Sequence, residues 1–305
     1  MSAAPSGEQH EIGHGRQRAV ITEVGATIRS YEVDGMCQLL DGFGAGEMCT
    51  GGRGQPLVPW PNRIRDGRFR FGGRDHQLAL TEPEQGNSIH GLVRWSNWRA
   101  TERGSDRVLM RHVLHAQPGY PFVLDVALEY RLGDEGLEVT LAAINVSDAD
   151  APFAAGHHPY LRLDGPMSEW RLTLDAGAEL IADERQIPTG EERDVAGTAA
   201  DFRQSRPIGD QSLDSAFTNL ARGRDGRAQV TLQDPRDHRL TLWMDPGWDY
   251  VMLFTGDALT QPERRRTGLA VEPMTAAPDA FRSGRGLRVL RPQERVELRW
   301  GISPG

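Results

Sequence analysis

Apolar residues recur along this chain in short runs with the spacing of strands. Residues 19–24, 27–33, 108–114 and 123–132 mix polar with branched or aromatic apolar side chains, as half-buried strands do. Further strands are predicted at 170–174, 250–254 and 295–300. Turn formers join neighbours: Asp134-Glu135-Gly136 folds 123–132 back onto 137–144, and Asp234-Pro235-Arg236-Asp237 does the same for 228–232 and 239–244. Between these runs stands no repeated helix of the length a parallel crossover needs, so the strands pair antiparallel. The pattern predicts an all-β fold, a large antiparallel β-sandwich.

With 305 residues, a substantial core is within reach in one domain or two. The polar stretches 179–197 and 221–226 read as excursions because strand-like sequence resumes after each, and residues 19–305 are expected to form one domain. Residues 1–18 are polar and contain Gly13 and Gly15, which predicts a flexible N-terminal leader. They have neither the apolar run of an export signal nor a spanning stretch.

Charge narrows the partners. Against 35 basic side chains stand 43 acidic ones, a formal net charge of −8, which gives no general attraction for nucleic acid or an anionic membrane. The two cysteines, Cys37 and Cys49, fit neither a disulfide framework nor a four-ligand zinc site and read as isolated thiols, consistent with a cytoplasmic protein.

Candidate chemistry gathers in three bends. Ala155-Gly156-His157-His158-Pro159-Tyr160 sets imidazoles in a glycine- and proline-bent mouth, Asn87-Ser88-Ile89-His90-Gly91 offers another, and Val271-Glu272-Pro273-Met274-Thr275 an acid. Imidazole titrates near neutral pH and burial tunes a carboxylate upward, so the three could supply an acid, a base and an orienting donor. The loop 57–64 adds Trp60, Asn62 and Arg63, an aromatic face with polar groups that suit a sugar ring and its hydroxyls. Read singly, these residues equally fit turn histidines, an edge-closing Trp60, a cap acid at Asp214 and a Glu272 paired with Arg266.

Taken in order, the motifs resemble the aldose 1-epimerase (galactose mutarotase) family over about residues 21–298. The marks are Asn62-Arg63-Ile64 with Gly67-Arg68-Phe69 and Gly72, then Asn87-Ser88-Ile89-His90-Gly91 and His158-Pro159-Tyr160. Leu213-Asp214-Ser215-Ala216-Phe217 and Glu272-Pro273 with Pro278-Asp279-Ala280-Phe281 follow. The resemblance implies a sugar cleft on one sheet of a β-sandwich and interconversion of the α and β anomers of a free monosaccharide, with no cofactor and no metal. It casts Glu272 as the base at the anomeric hydroxyl, His158 as the acid at the ring oxygen, opposed to it across C1–O5, and His90 as a second catalytic histidine. Arg63, Asp214, Asn62 and His157 become substrate-binding residues.

This chain departs from the galactose-specific pattern. A single glycine, Gly91-Leu92, follows His90; Pro273-Met274-Thr275 follows Glu272; and Leu161-Arg162-Leu163 follows His158-Pro159-Tyr160. The implied activity is therefore aldose 1-epimerase in the broad sense. Two alternatives stay open: a hexose-phosphate 1-epimerase reading phosphate through Arg63, Arg65 and Arg162, and a carbohydrate-binding or sugar-sensing protein without turnover. Monomer and homodimer are both compatible with the sequence.

Overall fold

The structure, a computed structural model, describes residues 4–34 and 37–305, with the side chains of 37 and 38 excluded, so the expectation for the Cys37 thiol lies outside the described residues. Nearly every element is a strand, and the single α-helix among the described residues is the four-residue Ala280–Ser283. Two large antiparallel sheets dominate. One orders Arg99–Arg103, Arg107–Leu114, Leu124–Gly133, Gly136–Asn145, Arg295–Pro304, Arg239–Met244, Ala228–Gln233, Arg171–Leu174 and Arg206–Pro207. The other orders Pro188–Asp194, Ala176–Ala182, Asp214–Leu220, Tyr250–Phe254, Leu269–Met274, Gly156–His157 and Pro56–Leu57, with Tyr160–Leu161 also paired to Leu269–Met274.

Alternation explains how they pack. In Leu124–Gly133 every second side chain, Leu124, Val126, Leu128, Tyr130 and Leu132, is buried. The hairpin to Gly136–Asn145 closes in the register Gly133↔Gly136, as the turn residues foretold. These inward residues join Val251, Leu253, Leu269 and Val271 of the second sheet in one apolar cluster that extends from Ile12 to Ile302. That is the all-β antiparallel sandwich expected.

The flexible leader expected over residues 1–18 is corrected for its second half. Gln9–His14 pairs antiparallel with Gln17–Thr22, turning at Gly15 and Arg16, and Ile12 enters the core. The expectation weighed overall polarity, but period-two spacing of His10 and Ile12 places one face inward while Glu11 stays exposed.

Candidate active site

Period two also builds the site. In Leu269–Met274, Leu269 and Val271 face the core between the sheets, so Glu272 and Met274 face the other way. Neighbouring strands put Met252 across from Glu272 and Asp214 across from Phe254. These side chains floor a cleft of about 450 Å³ whose walls include Gly51, Gly52, Asn62, Arg63, His90 and His158. A second concavity of similar size, about 460 Å³, lies on the outer face of the nine-stranded sheet, but its charged groups, such as Arg111 with Asp125 and Arg295 with Glu297, are exposed pairs.

At the floor, His158 Nε2 lies 3.2 Å from Glu272 Oε1, with both side chains almost wholly buried. The fold thus brings the expected acid and the expected base directly together. Burial pushes the Glu272 carboxyl well above its usual range, with Asp214 adding repulsion while Arg63 and Arg94 pull it back. Burial lowers His158 to about 3, and the nearby Arg94 adds to the effect. Both directions favour the uncharged forms, so at rest the pair shares one transferable proton. His158 Nδ1 and Glu272 Oε2 are buried without partners, leaving polar capacity that the protein does not itself use.

The His158 ring is held on both sides. It stacks on Tyr160, centroids 5.0 Å apart and planes 12° apart, and Tyr160 is covered in turn by the Arg53 guanidinium at 4.6 Å. The Tyr160 hydroxyl donates to Gly51 O at 2.9 Å, and buried Arg53 donates to Asp41 at 3.1 Å. Gly52 makes room: a Cβ there would come 2.8 Å from His158 Cδ2.

His90 meets His158 edge-on, centroids 5.1 Å apart. Its Nδ1 accepts from the Asn62 backbone N–H at 3.2 Å, so the ring hydrogen belongs on Nε2, and the His90 backbone N–H donates to Asn62 O at 2.9 Å. Burial, with Arg94, His158 and Arg63 nearby, holds His90 well below its ordinary pKa, as a neutral donor. Both Asn62 and His90 have positive φ, and after them Gly91 must be glycine, since a Cβ would lie 2.2 Å from Val58 O.

Arg63 forks onto Glu82, Nε to Oε2 at 2.8 Å and Nη2 to Oε1 at 2.9 Å; burial lowers its pKa, but Glu82 with the nearby Asp214 and Glu272 together raise it above its ordinary value. Burial raises Asp214, Glu82 contributes to the rise, and Arg63 opposes it. Donor atoms of His90, His158 and Glu272 lie within 4.8 Å of one another, a set that could also hold a divalent transition metal.

Not every expected residue arrives at the cleft. His157, expected to bind substrate, is corrected: it faces the core, 4.8 Å from Trp300 and 6.2 Å from Tyr130 by ring centroids, with Nε2 3.1 Å from Gly54 O. Successive residues of an extended chain point to opposite faces, so only one of two adjacent histidines can reach the sugar side. Trp60 is likewise a core residue, edge-on to Phe281. Arg65 pairs with Asp183 and is absent from the cleft lining, and exposed Arg162 borders a different depression beside Asp41 and Arg264. Arg266 pairs with Asp257 and leaves Glu272 to His158. Cys49 is a free thiol in the cleft wall, pushed up to about 12 by burial. Sequence reasoning missed Glu82, Arg94 and the exposed Trp95. For the last two the signal was present, a cation and an aromatic on the same loop as His90.

A buried imidazole–carboxyl pair at the floor of a polar cleft is an arrangement that can exchange protons with a small polar molecule. The family model for aldose 1-epimerase matches residues 8–303, and the chain belongs to that family of isomerases. It is similar to the uncharacterized protein YihR of Escherichia coli (strain K12), 32% identical over 93% of this chain and 89% of that one. To the aldose 1-epimerase of the same organism it is 28% identical, over 72% of this chain and 69% of that one. Among solved structures, galactose 1-epimerase from Lactobacillus acidophilus shares the fold with a TM-score of 0.80 at 24% identity, over 96% of this chain and 93% of that one. None of the described helices is long and apolar enough to cross a membrane.

Proposed function

We propose that the chain is an aldose 1-epimerase acting on a free monosaccharide. Supporting this reading is the buried His158 Nε2–Glu272 Oε1 contact of 3.2 Å at the floor of the cleft. The oxygens exchanged in mutarotation, O1 and O5, are bonded to the same carbon, so the groups serving them must also be neighbours.

Moving the shared proton from the carboxyl to the imidazole produces the ionised Glu272 and protonated His158 that ring opening uses. Arg63 and Arg94 favour that charge on Glu272. Glu272 then takes the O1 proton as His158 protonates O5 and the C1–O5 bond breaks. The free aldehyde turns about C1–C2, and reversal of both transfers closes the ring on the other face. His90 Nε2–H is a neutral donor for the ring-oxygen region, while Asp214, Arg63 and Asn62 bind hydroxyls. We place this activity in the cytoplasm, supported by the free Cys49 thiol.

The test is anomer exchange by polarimetry or exchange NMR, starting from one anomer, with a chelator present and no nucleotide. Acceleration supports the reading. Binding of aldoses with no acceleration replaces it with a sugar-sensing role, and loss of acceleration on chelation moves His90, His158 and Glu272 into a metal site.

A further inference from the structure

Arg63 stands under the influence of three carboxylates and is bonded to one. It forks onto Glu82, while Asp214 and Glu272 act on it through space. Among the described residues no hydrogen bond reaches the Asp214 carboxylate, which lines the same cleft. A largely buried guanidinium needs acceptors for its hydrogens, so an Arg63 released from Glu82 would turn to the next carboxylate, Asp214. That pairing would occupy a hydroxyl donor and a hydroxyl acceptor at once.

Both halves of the fork are anchored against this move. Arg63–Arg65 pairs with Asn87–Ile89 in the register Arg63↔Ile89, and the Arg63 carbonyl accepts from the Asp279 N–H at 2.7 Å. Glu82 and Asn87 exchange both backbone hydrogen bonds, at 3.0 and 3.1 Å. The Asn87 side-chain amide then donates to Glu82 Oε2 at 3.2 Å and to Arg185 O at 3.0 Å. Arginine and carboxylate are thus tied to the same short strand. The fork uses the Nε hydrogen and one on Nη2, which leaves the two hydrogens of Nη1 and the second on Nη2 for a ligand.

We propose that Glu82 is a positioning residue: by holding Arg63 in the fork it keeps this arginine off Asp214, so that both remain available to sugar hydroxyls. This rests on the epimerase reading above, in which Arg63 and Asp214 bind the substrate. Glu82 acts through Arg63, and its removal matters only while Arg63 is present to move.

The experiment measures anomer exchange of glucose and galactose in the wild type, Glu82→Gln, Glu82→Asp and Arg63→Met, and in both Glu82 changes combined with Arg63→Met. A crystal structure of Glu82→Gln accompanies it. The expected result is a KM raised roughly tenfold or more in Glu82→Gln with kcat within a few-fold of wild type, and a smaller rise in Glu82→Asp, which keeps the charge. Adding either Glu82 change to Arg63→Met should cause no further loss, and in the crystal structure Arg63 should pair with Asp214. Losses that multiply in the double variants overturn the proposal, because Glu82 then acts independently of Arg63; so does an Arg63 that stays in place in Glu82→Gln, or a loss confined to kcat. Should Glu82→Gln not fold, Glu82→Asp in the two backgrounds and its crystal structure decide. A wild type that exchanges neither sugar counts against the epimerase reading, and the position of Arg63 in the variant structure still decides this one. Wild-type exchange with multiplying losses keeps the epimerase reading and overturns this one.

Discussion

His157 and His158 are neighbours in sequence, both buried and both lowered to about 3 chiefly by burial, yet they belong to different regions of the molecule. His157 points between the sheets, packed against Trp300 with its Nε2 at the Gly54 carbonyl. His158 points into the cleft, its Nε2 against a carboxyl that has been forced to compete for the same proton. A depressed histidine pKa therefore does not mark function by itself. What separates the two is the partner: a backbone carbonyl that fixes one tautomer on the core side, and a titratable group that can exchange a proton on the other.

The most severe break of this contrast is Glu272→Gln. The amide keeps shape and hydrogen bonding but cannot accept and return a proton, so exchange should fall by roughly 10²–10⁴-fold while sugar binding persists. Near-normal exchange in a folded variant removes Glu272 from the base role. Gly52→Ala tests the placement of the His158 ring without touching its chemistry. With φ at +75° and a new Cβ 2.8 Å from His158 Cδ2, the loop or the ring must shift, and a misplacement of that kind lowers kcat by roughly 10–100-fold. A variant that folds and turns over normally would show that the ring tolerates displacement.

On the core side the expected loss is in stability. His157→Gln should retain turnover per folded molecule but lower unfolding free energy by about 1–3 kcal/mol, measured by denaturant titration. Its pH dependence has a definite sign. A histidine depressed on folding contributes fully above its unfolded value of 6.5, and that stability is lost as pH falls towards about 3, because only the unfolded chain takes up the proton early. At pH 5 the loss is about 2 kcal/mol for one such group. The stability gap between wild type and His157→Gln should therefore narrow from pH 7 to pH 5; parallel curves would place His157 in a solvated setting instead.

The same contrast marks what could be read from the chain. Strands such as Leu124–Gly133 were legible because alternation and turn residues are local properties, and so was the pairing of that strand with Gly136–Asn145. That His90, His158 and Glu272 were candidates was legible from the bent, polar interruptions they make in strand-like sequence, and the fold gathers all three in one cleft. Which of His157 and His158 faced the cleft was not, because facing depends on where each strand docks. Arg94 was missed for a related reason: its place in the same cleft wall as His90 and His158 is set by tertiary contacts. The error at His10 and Ile12 was different in kind, since alternation there was present in the sequence and was outweighed by composition.

The mildest change tests whether the cleft side contains a further chemical group. Tyr160→Phe keeps the ring that stacks between His158 and Arg53 and deletes only the hydroxyl that donates to Gly51 O at 2.9 Å. Burial raises this phenol far above its ordinary range, with Arg53 opposing and Glu272 reinforcing the rise, so it stays protonated at any pH the fold survives. A phenol that does not ionise and whose hydrogen is already given to a backbone carbonyl is a poor proton carrier. Tyr160→Phe should accordingly cost about 1 kcal/mol of stability, the net worth of one hydrogen bond, and leave kcat within a few-fold of wild type. Loss of exchange approaching that of Glu272→Gln, in a variant of near-normal stability, would mean that the hydroxyl takes part in the proton transfer and that the pair His158–Glu272 is not sufficient.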